Sequence, residues 1–85
     1  MKVTIPSPLL SYTGRREVDA AGATIEEVLA DLDRRYPGLR FRVVDEQDQM
    51  RRYMRFFVNG EQVFRLTHPL GPSDELQLVQ ALAGG

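Results

Sequence analysis

Cysteine is missing from this chain of 85 residues, and histidine occurs once, at His68. Without a thiol the chain cannot form disulfides, bind a metal through thiolates or use a cysteine nucleophile. With one imidazole it cannot assemble a histidine cluster or a Ser-His-Asp triad from its own side chains. We therefore expect neither a self-sufficient enzyme nor a metal site.

Long apolar runs and an excess of one charge are missing as well. No segment reaches the roughly 18 apolar residues that read as a membrane span. The net charge is −1, from 11 basic and 12 acidic residues, so no basic field favours nucleic acid or anionic lipid as a partner. Lys2 leads directly into Val3 without the apolar stretch of a signal peptide. We expect a single cytoplasmic globular domain with neither nucleic acid nor membrane as a partner.

The chain does have a pair of glycines at its end, Ala83-Gly84-Gly85, after a strand-like run over residues 75–82. Glycine has no Cβ, so two in series form a thin, flexible tail that can enter a narrow cleft. Such a tail would present the carboxylate of Gly85 to the chemistry of another protein. The alternative is a frayed end without a role. We place the folded domain at residues 1–82 and the tail at residues 83–85.

Alternating apolar residues predict the strands. Two of them, at residues 2–5 and 16–20, form a hairpin with a long connection. A strong strand at residues 54–58 precedes Asn59-Gly60, the best hairpin turn signal in the chain. A shorter strand at residues 61–66 follows, and the last strand begins at Glu75.

The clearest helix spans residues 25–36. Thr24 is its predicted N-cap, and Glu27 completes a capping-box pattern. Apolar side chains at helical spacing define one face, and Pro37-Gly38 ends the helix. Residues 39–44 are predicted to form an irregular strand or loop, and the polar residues 45–49 a surface excursion.

The order strand, strand, helix, strand, strand, strand resembles the ubiquitin-like β-grasp fold. That resemblance implies an α+β protein with a mixed sheet of four to five strands and one main helix packed across it. More narrowly, the chain resembles the bacterial sulfur-carrier family that includes ThiS, MoaD and CysO. The segments that carry this resemblance are Thr24–Leu29, Phe57–Glu61, Asp74–Leu76 and Ala81–Gly85. Residues 36–39 and the arginine-bearing stretch after them look more like the CysO or longer MoaD-like branch than compact ThiS. The aromatic-proline run often seen before the final glycines of MoaD proteins is missing here.

The resemblance implies a carrier protein and not an enzyme. In this family an E1-like enzyme adenylates the terminal carboxylate, here that of Gly85, with ATP. A sulfur donor then displaces AMP to leave a thiocarboxylate, which supplies a synthase that makes thiamine, molybdopterin, cysteine or another sulfur metabolite. ATP and Mg²⁺ belong to the activating partner, so this chain itself needs no cofactor. Three alternatives stay open: a ubiquitin-like modifier joined to lysines through Gly85, a small subunit of molybdopterin synthase, and a plain interaction module.

A partner that processes the tail, with Ala83 and Gly84 in its cleft, also needs a surface to dock on. In the last strand Val79 and Ala81 alternate with the leucines and would lie on the open face of the sheet. Phe57 would point to the same face, which predicts an apolar partner site of Phe57, Val79 and Ala81. The alternative is that residues 39–52 cover Phe57. The arginines between residues 51 and 55 are interpreted as a solvated strand edge, or else as a partner or anion contact.

Overall fold

A five-stranded mixed sheet forms the frame of the molecule in the computed structural model, which describes residues 1–81. The strands are β1 (Lys2–Thr4), β2 (Glu17–Asp19), β3 (Met54–Val58), β4 (Glu61–Val63) and β5 (Glu75–Gln80). Their order across the sheet is β2-β1-β5-β3-β4, with β1 and β5 parallel and every other pair antiparallel. The last strand therefore lies at the centre. The predicted α+β β-grasp fold is confirmed, with five strands.

The main helix crosses one face of this sheet. The helices are a 3-10 turn (Ser7–Leu9), α1 (Leu10–Thr13), α2 (Ile25–Arg35) and α3 (Leu39–Val43). At the start of α2 the Thr24 hydroxyl accepts the N–H of Glu27 at 3.2 Å. The Glu27 carboxylate reaches back to the N–H of Ala23 at 3.1 Å, one residue before the position of a standard capping box. The predicted cap is confirmed, and Tyr36 lies just beyond the last residue of α2.

The core lies between α2 and the inner face of the sheet. Alternation along β3 buries Met54, Phe56 and Val58, and alternation along β5 buries Leu76 and Leu78. The apolar face of α2 packs on them with four fully buried residues, Ile25, Val28, Leu29 and Leu32. Because side chains on a strand alternate between faces, the residues between these point to the opposite, open face.

Residues 39–44 do not form the expected irregular strand or loop, because residues 39–43 are helix α3. Gly38 has a φ of 95°, a left-handed conformation that reverses the chain after α2. The Asp33 carboxylate then accepts the N–H groups of Gly38 and Arg40, each at 3.1 Å, and stabilises the first turn. Leu39 and Val43 are both buried, at the i, i+4 spacing of a helix.

Strands β1 and β2 are shorter than the sequence predicts, with β1 ending at Thr4 and β2 spanning Glu17–Asp19. The connection after β1 contains the 3-10 turn and α1, which Gly14 ends with a φ of 72°. Strand β4 ends at Val63 and not at residue 66, because the chain turns toward the N-terminus of α2. There the carbonyls of Leu66 and His68 accept two N–H groups of the helix, at 2.9 and 3.2 Å. Strand β5 ends at Gln80.

Candidate functional site

The root of the predicted tail is held by the sheet. Ala81 is the last described residue, and its N–H donates to the carbonyl of Tyr53 at 2.7 Å. Tyr53 is itself half-buried against the core. The predicted tail residues Ala83, Gly84 and Gly85 lie outside the described residues, as does the predicted domain boundary after residue 82. Their roles stay predictions.

Phe57 and Val79 lie on the open face, where the sequence pattern puts them. Arg55 is opposite Val79 in the register of β3 and β5, and Phe57 is opposite Gln77. Phe57 and Val79 are therefore diagonal neighbours on one face, a separation that an aromatic side chain can span. Both are half-buried. Their role in binding a partner stays a prediction.

Residues 39–52 contribute to the opposite side of the sheet from Phe57. Helix α3 contacts α2 and adds Leu39 and Val43 to the core. Phe57 lies between the buried Phe56 and Val58, so it points away from that core. This arrangement favours an open Phe57 over the alternative in which those residues cover it.

Charge divides the open face into two ends. At the start of β5, the Lys2 ammonium lies 3.1 Å from the Glu17 carboxylate and 3.8 Å from that of Glu75. The hydrogen bond with Glu17, with both carboxylates nearby, raises the pKa of Lys2 above its ordinary value. The other end of β5 carries Val79, which lies opposite Arg55 of β3, and leads to Ala81. The paired Lys2, Glu17 and Glu75 are therefore at the end of the face away from Ala81.

A groove of about 480 Å³ runs beside this same end of β5. Residues 77–81 form one wall, and Pro6, Pro8 and Arg16 lie on the other. The Arg16 guanidinium donates to the Ser7 hydroxyl at 3.2 Å across the mouth of the β1–β2 connection. Val79 and Ala81 thus border both the open face and the groove. Sequence reasoning did not find this groove, and its one local signal was the pair of prolines after β1.

The arginines near β3 make local contacts. The Arg51 guanidinium stacks on the ring of Phe41 at 4.6 Å, and its Nε donates to the carbonyl of Phe41 at 2.7 Å. Arg55 donates to the carbonyls of Arg52 and Met54 at 2.6 and 2.9 Å. These guanidinium groups are engaged by the chain itself, which favours the solvated-edge interpretation of the cluster over an anion contact.

Within residues 1–81, no three side chains of the His, Asp or Glu type are grouped as ligands for a metal ion. The longest helix in that part of the chain, α2, has 11 residues. None of the described helices combines the length and apolar character that a bilayer crossing requires.

The sheet order, the single long helix and the strand that ends at the tail define a ubiquitin-like β-grasp protein. The sequence profile of the ThiS family matches residues 3–85, and the chain belongs to that family. It is 32% identical to the sulfur carrier protein CysO of Mycobacterium tuberculosis over 89 residues, which cover 98% of this chain and 96% of that protein. The predicted membership in the ThiS, MoaD and CysO group is confirmed.

Solved structures agree with the sequence matches. The crystal structure of the BexX/CysO complex from Amycolatopsis orientalis contains a chain with a TM-score of 0.91 and 34% identity, with 99% of this chain and 98% of that one covered. The small archaeal modifier protein 1 of Haloferax volcanii has a TM-score of 0.78 and 26% identity, with 96% and 97% covered. Sulfur carriers and protein modifiers thus share this fold.

Proposed function

We propose that this protein is a sulfur carrier whose working group is the carboxylate of Gly85. The observation that carries the proposal is the likeness to CysO across nearly the whole chain, together with a family match that extends to residue 85. The described body supports it, because the sheet holds the chain as far as Ala81, four residues before the proposed working group at Gly85.

The chemistry takes two steps. A carboxylate oxygen of Gly85 attacks the α-phosphorus of ATP, which releases pyrophosphate and forms an acyl adenylate. A sulfide-equivalent nucleophile then attacks the carbonyl carbon, AMP leaves with the bonding pair, and −C(=O)S⁻ remains. Gly84 and Gly85 permit a close approach to the nucleotide because neither carries a Cβ. In this role the chain is a substrate of other enzymes and not a catalyst.

Three partners follow from this chemistry. They are an E1-like adenylating enzyme that brings ATP, a sulfur donor, and a synthase that accepts the sulfur. The relative from Amycolatopsis orientalis forms a complex with BexX, which supports docking of this chain to a protein partner.

A second candidate is a protein modifier that joins lysines through Gly85. The likeness to the small archaeal modifier protein 1 of Haloferax volcanii favours it. Both roles begin with adenylation, so they diverge only in the second step. Denaturing immunoblots of cell extract separate them, since a modifier forms conjugates of higher mass that survive thiol reductants.

The first step is tested by ATP–pyrophosphate exchange with the E1-like enzyme of the same cell. The full chain is expected to support exchange, and a chain without Gly85 is expected to support none while unfolding at the same temperature. Exchange by the Gly85-deleted chain at the rate of the full chain would contradict the proposed function.

A further inference from the structure

We propose that the edge of β5 beside the tail root pairs with an extended, acidic segment of the adenylating enzyme. This edge, called the root edge, consists of the backbone of residues 78–80. The proposal rests on the proposed function, because the bound segment belongs to the enzyme that activates Gly85. It adds a docking site with a stated geometry and charge.

The direction of the backbone groups in β5 follows from two hydrogen bonds. Ala81 donates to the carbonyl of Tyr53, and Asn59 donates to the carbonyl of Glu75 at 3.0 Å. Both tie odd-numbered residues of β5 to the β3 side. Because successive residues of a strand point their N–H and C=O groups in opposite directions, Leu78 and Gln80 point theirs toward β1.

Strand β1 does not extend far enough to meet them. Ile5 donates to the carbonyl of Arg16 at 2.7 Å, so the odd residues of β1 face β2 and the even ones face β5. The parallel register ends where Thr4 lies beside Gln77. The next even residue is Pro6, which has no N–H to donate.

Among residues 1–81, the root edge beyond the N–H of Leu78 is therefore unpaired on the β1 side. The carbonyl of Leu78 meets a proline where a donor would continue the ladder, and both backbone groups of Gln80 lie beyond the last residue of β1. These groups border the groove of about 480 Å³, so they are accessible from outside. An exposed strand edge with free donors and acceptors is a template for an added strand.

The side chains around the root edge indicate what the added strand carries. Pro6, Pro8 and Val79 give the groove an apolar lining. Arg16 is exposed, and no carboxylate among residues 1–81 lies within salt-bridge distance of it, since the neighbouring Glu17 pairs with Lys2. An Asp or Glu side chain of the partner would form a charge-assisted hydrogen bond with this guanidinium.

The position of the root edge explains why the adenylating enzyme is the partner. Gln80 adjoins Ala81, the last residue that the described sheet holds. A strand of the enzyme paired here would fix the root of the tail relative to the enzyme's own nucleotide site. Holding two reactants in place in this way lowers the entropy cost of the reaction between them.

Two matched pairs of variants test the proposal in ATP–pyrophosphate exchange. Gln80→Pro removes the donor of the root edge, and its control Gln62→Pro makes the same change on the outer edge of β4. Val58 and Glu61 flank a two-residue turn and bond to each other, so the N–H of Gln62 faces away from the sheet. Proline is tolerated at such edges.

The second pair of variants changes the charge. Arg16→Glu reverses the charge at the groove, and Arg15→Glu makes the same change on a neighbouring exposed residue.

We expect Gln80→Pro and Arg16→Glu each to raise the KM for this protein about tenfold, as the loss of one charge-assisted or backbone hydrogen bond does. Both controls should stay within about twofold of the unaltered chain, because Gln62 lies on the outer edge of β4 and Arg15 does not line the groove. Thermal unfolding of each variant reports folding. If Gln80→Pro does not fold, the two arginine variants decide alone.

If each variant has the same KM as its control while the unaltered chain is fully adenylated, the root edge does not pair with the adenylating enzyme. That result would overturn this proposal and leave the proposed function intact. A chain that no E1-like enzyme of the cell adenylates would overturn both. A concentration-dependent dimer in sedimentation, lost in Gln80→Pro, would show that the edge pairs with a second copy, which would also overturn this proposal.

Discussion

The N–H of Ala81 donates to the carbonyl of Tyr53 at 2.7 Å, one residue beyond the end of β5. This bond extends the pairing with the β3 side past the last strand residue, since Gln80 is already opposite Met54. Among residues 1–81, Leu78 is the last residue that is buried in the core. If residues 83–85 form the predicted tail, changes in them should act on chemistry and leave the stability of the body unaltered.

The first prediction concerns Gly84. Replacing Gly84 with Trp should abolish adenylation, because a large side chain next to Gly85 would keep the carboxylate away from the nucleotide in a narrow cleft. The free energy of unfolding should stay within about 0.5 kcal/mol of its original value, as is usual for changes outside the core. Ser73→Trp, at an exposed position away from the tail, is the control and should be adenylated normally. Normal adenylation of Gly84→Trp would show that the tail does not enter a confined site.

The second prediction compares two neighbouring phenylalanines of β3. Phe56 is fully buried, so Phe56→Ala should cost about 3–5 kcal/mol of unfolding free energy. Phe57 is half-buried on the open face, so Phe57→Ala should cost only about 1 kcal/mol while raising the KM in adenylation. Urea unfolding and pyrophosphate exchange measure the two effects. A loss of stability at Phe57 as large as that at Phe56 would place Phe57 in the core and remove it from the partner site.

The third prediction follows from a pair of polar residues that joins the β3–β4 turn to the start of β5. The Asp74 carboxylate accepts the N–H of Gly71 at 2.8 Å and the side-chain amide of Asn59 at 2.9 Å. The hydrogen bond from Gly71 has the larger effect and that from Asn59 the smaller, and both lower the pKa of Asp74 below its ordinary value. A carboxylate with a lowered folded pKa stabilises the fold above its unfolded pKa, and this contribution is lost as the pH falls through the folded value.

Asp74→Ala should therefore lower the urea midpoint near neutral pH, and the difference from the unaltered chain should shrink as the pH falls below the unfolded Asp pKa of about 3.9. The control is Ser73→Ala, which removes a side chain next to Asp74 without removing a carboxylate. It should show no such dependence on pH. A difference for Asp74→Ala that stays constant into strong acid would rule out the assigned role of its charge.

The fourth prediction concerns the close approach of Gly22 to α2. A Cβ at Gly22 would lie 2.7 Å from the backbone nitrogen of Val28 and 2.8 Å from the Cβ of Glu27, nearer than such atoms pack. Gly22→Ala should therefore destabilise the protein by about 1–3 kcal/mol, the range for overpacking. At Gly71 the nearest atom is an Asp74 carboxylate oxygen at 3.6 Å, an ordinary contact, so Gly71→Ala is the control. Equal unfolding midpoints for the two variants would contradict the close packing of Gly22.

Local signals in the sequence were sufficient for the hairpin and the main helix. Asn59 and Gly60 have φ angles of 51° and 87°, the left-handed pair that an Asn-Gly turn predicts between β3 and β4. Thr24 caps α2 as predicted because the cap depends on residues within one turn of it. The alternation of side chains along a strand also depends only on neighbouring residues, so it correctly predicted that Phe57 and Val79 lie on one face.

Features that depend on distant parts of the chain could not be predicted in this way. Helix α3 has only five residues, and the two apolar side chains of its i, i+4 pair suit a strand or loop equally well by pattern alone. The groove exists because β1 leaves β5 at Pro6. Only the pairing of Thr4 with Gln77, which lies 73 positions further along the chain, reveals it. The final residues of the chain were interpreted by chemistry and family resemblance, not by packing.

The central claim is that sulfur is carried on the last carbonyl of the chain. Its most direct test is the intact mass of the protein after co-expression with its E1-like enzyme and a sulfur donor, beside a chain without Gly85 treated in the same way. The account predicts that the full chain gains the mass difference between one sulfur and one oxygen atom, located in its C-terminal peptide, and that the shortened chain gains nothing. An unchanged mass for a full chain that is demonstrably adenylated, or the same gain in the shortened chain, would contradict it.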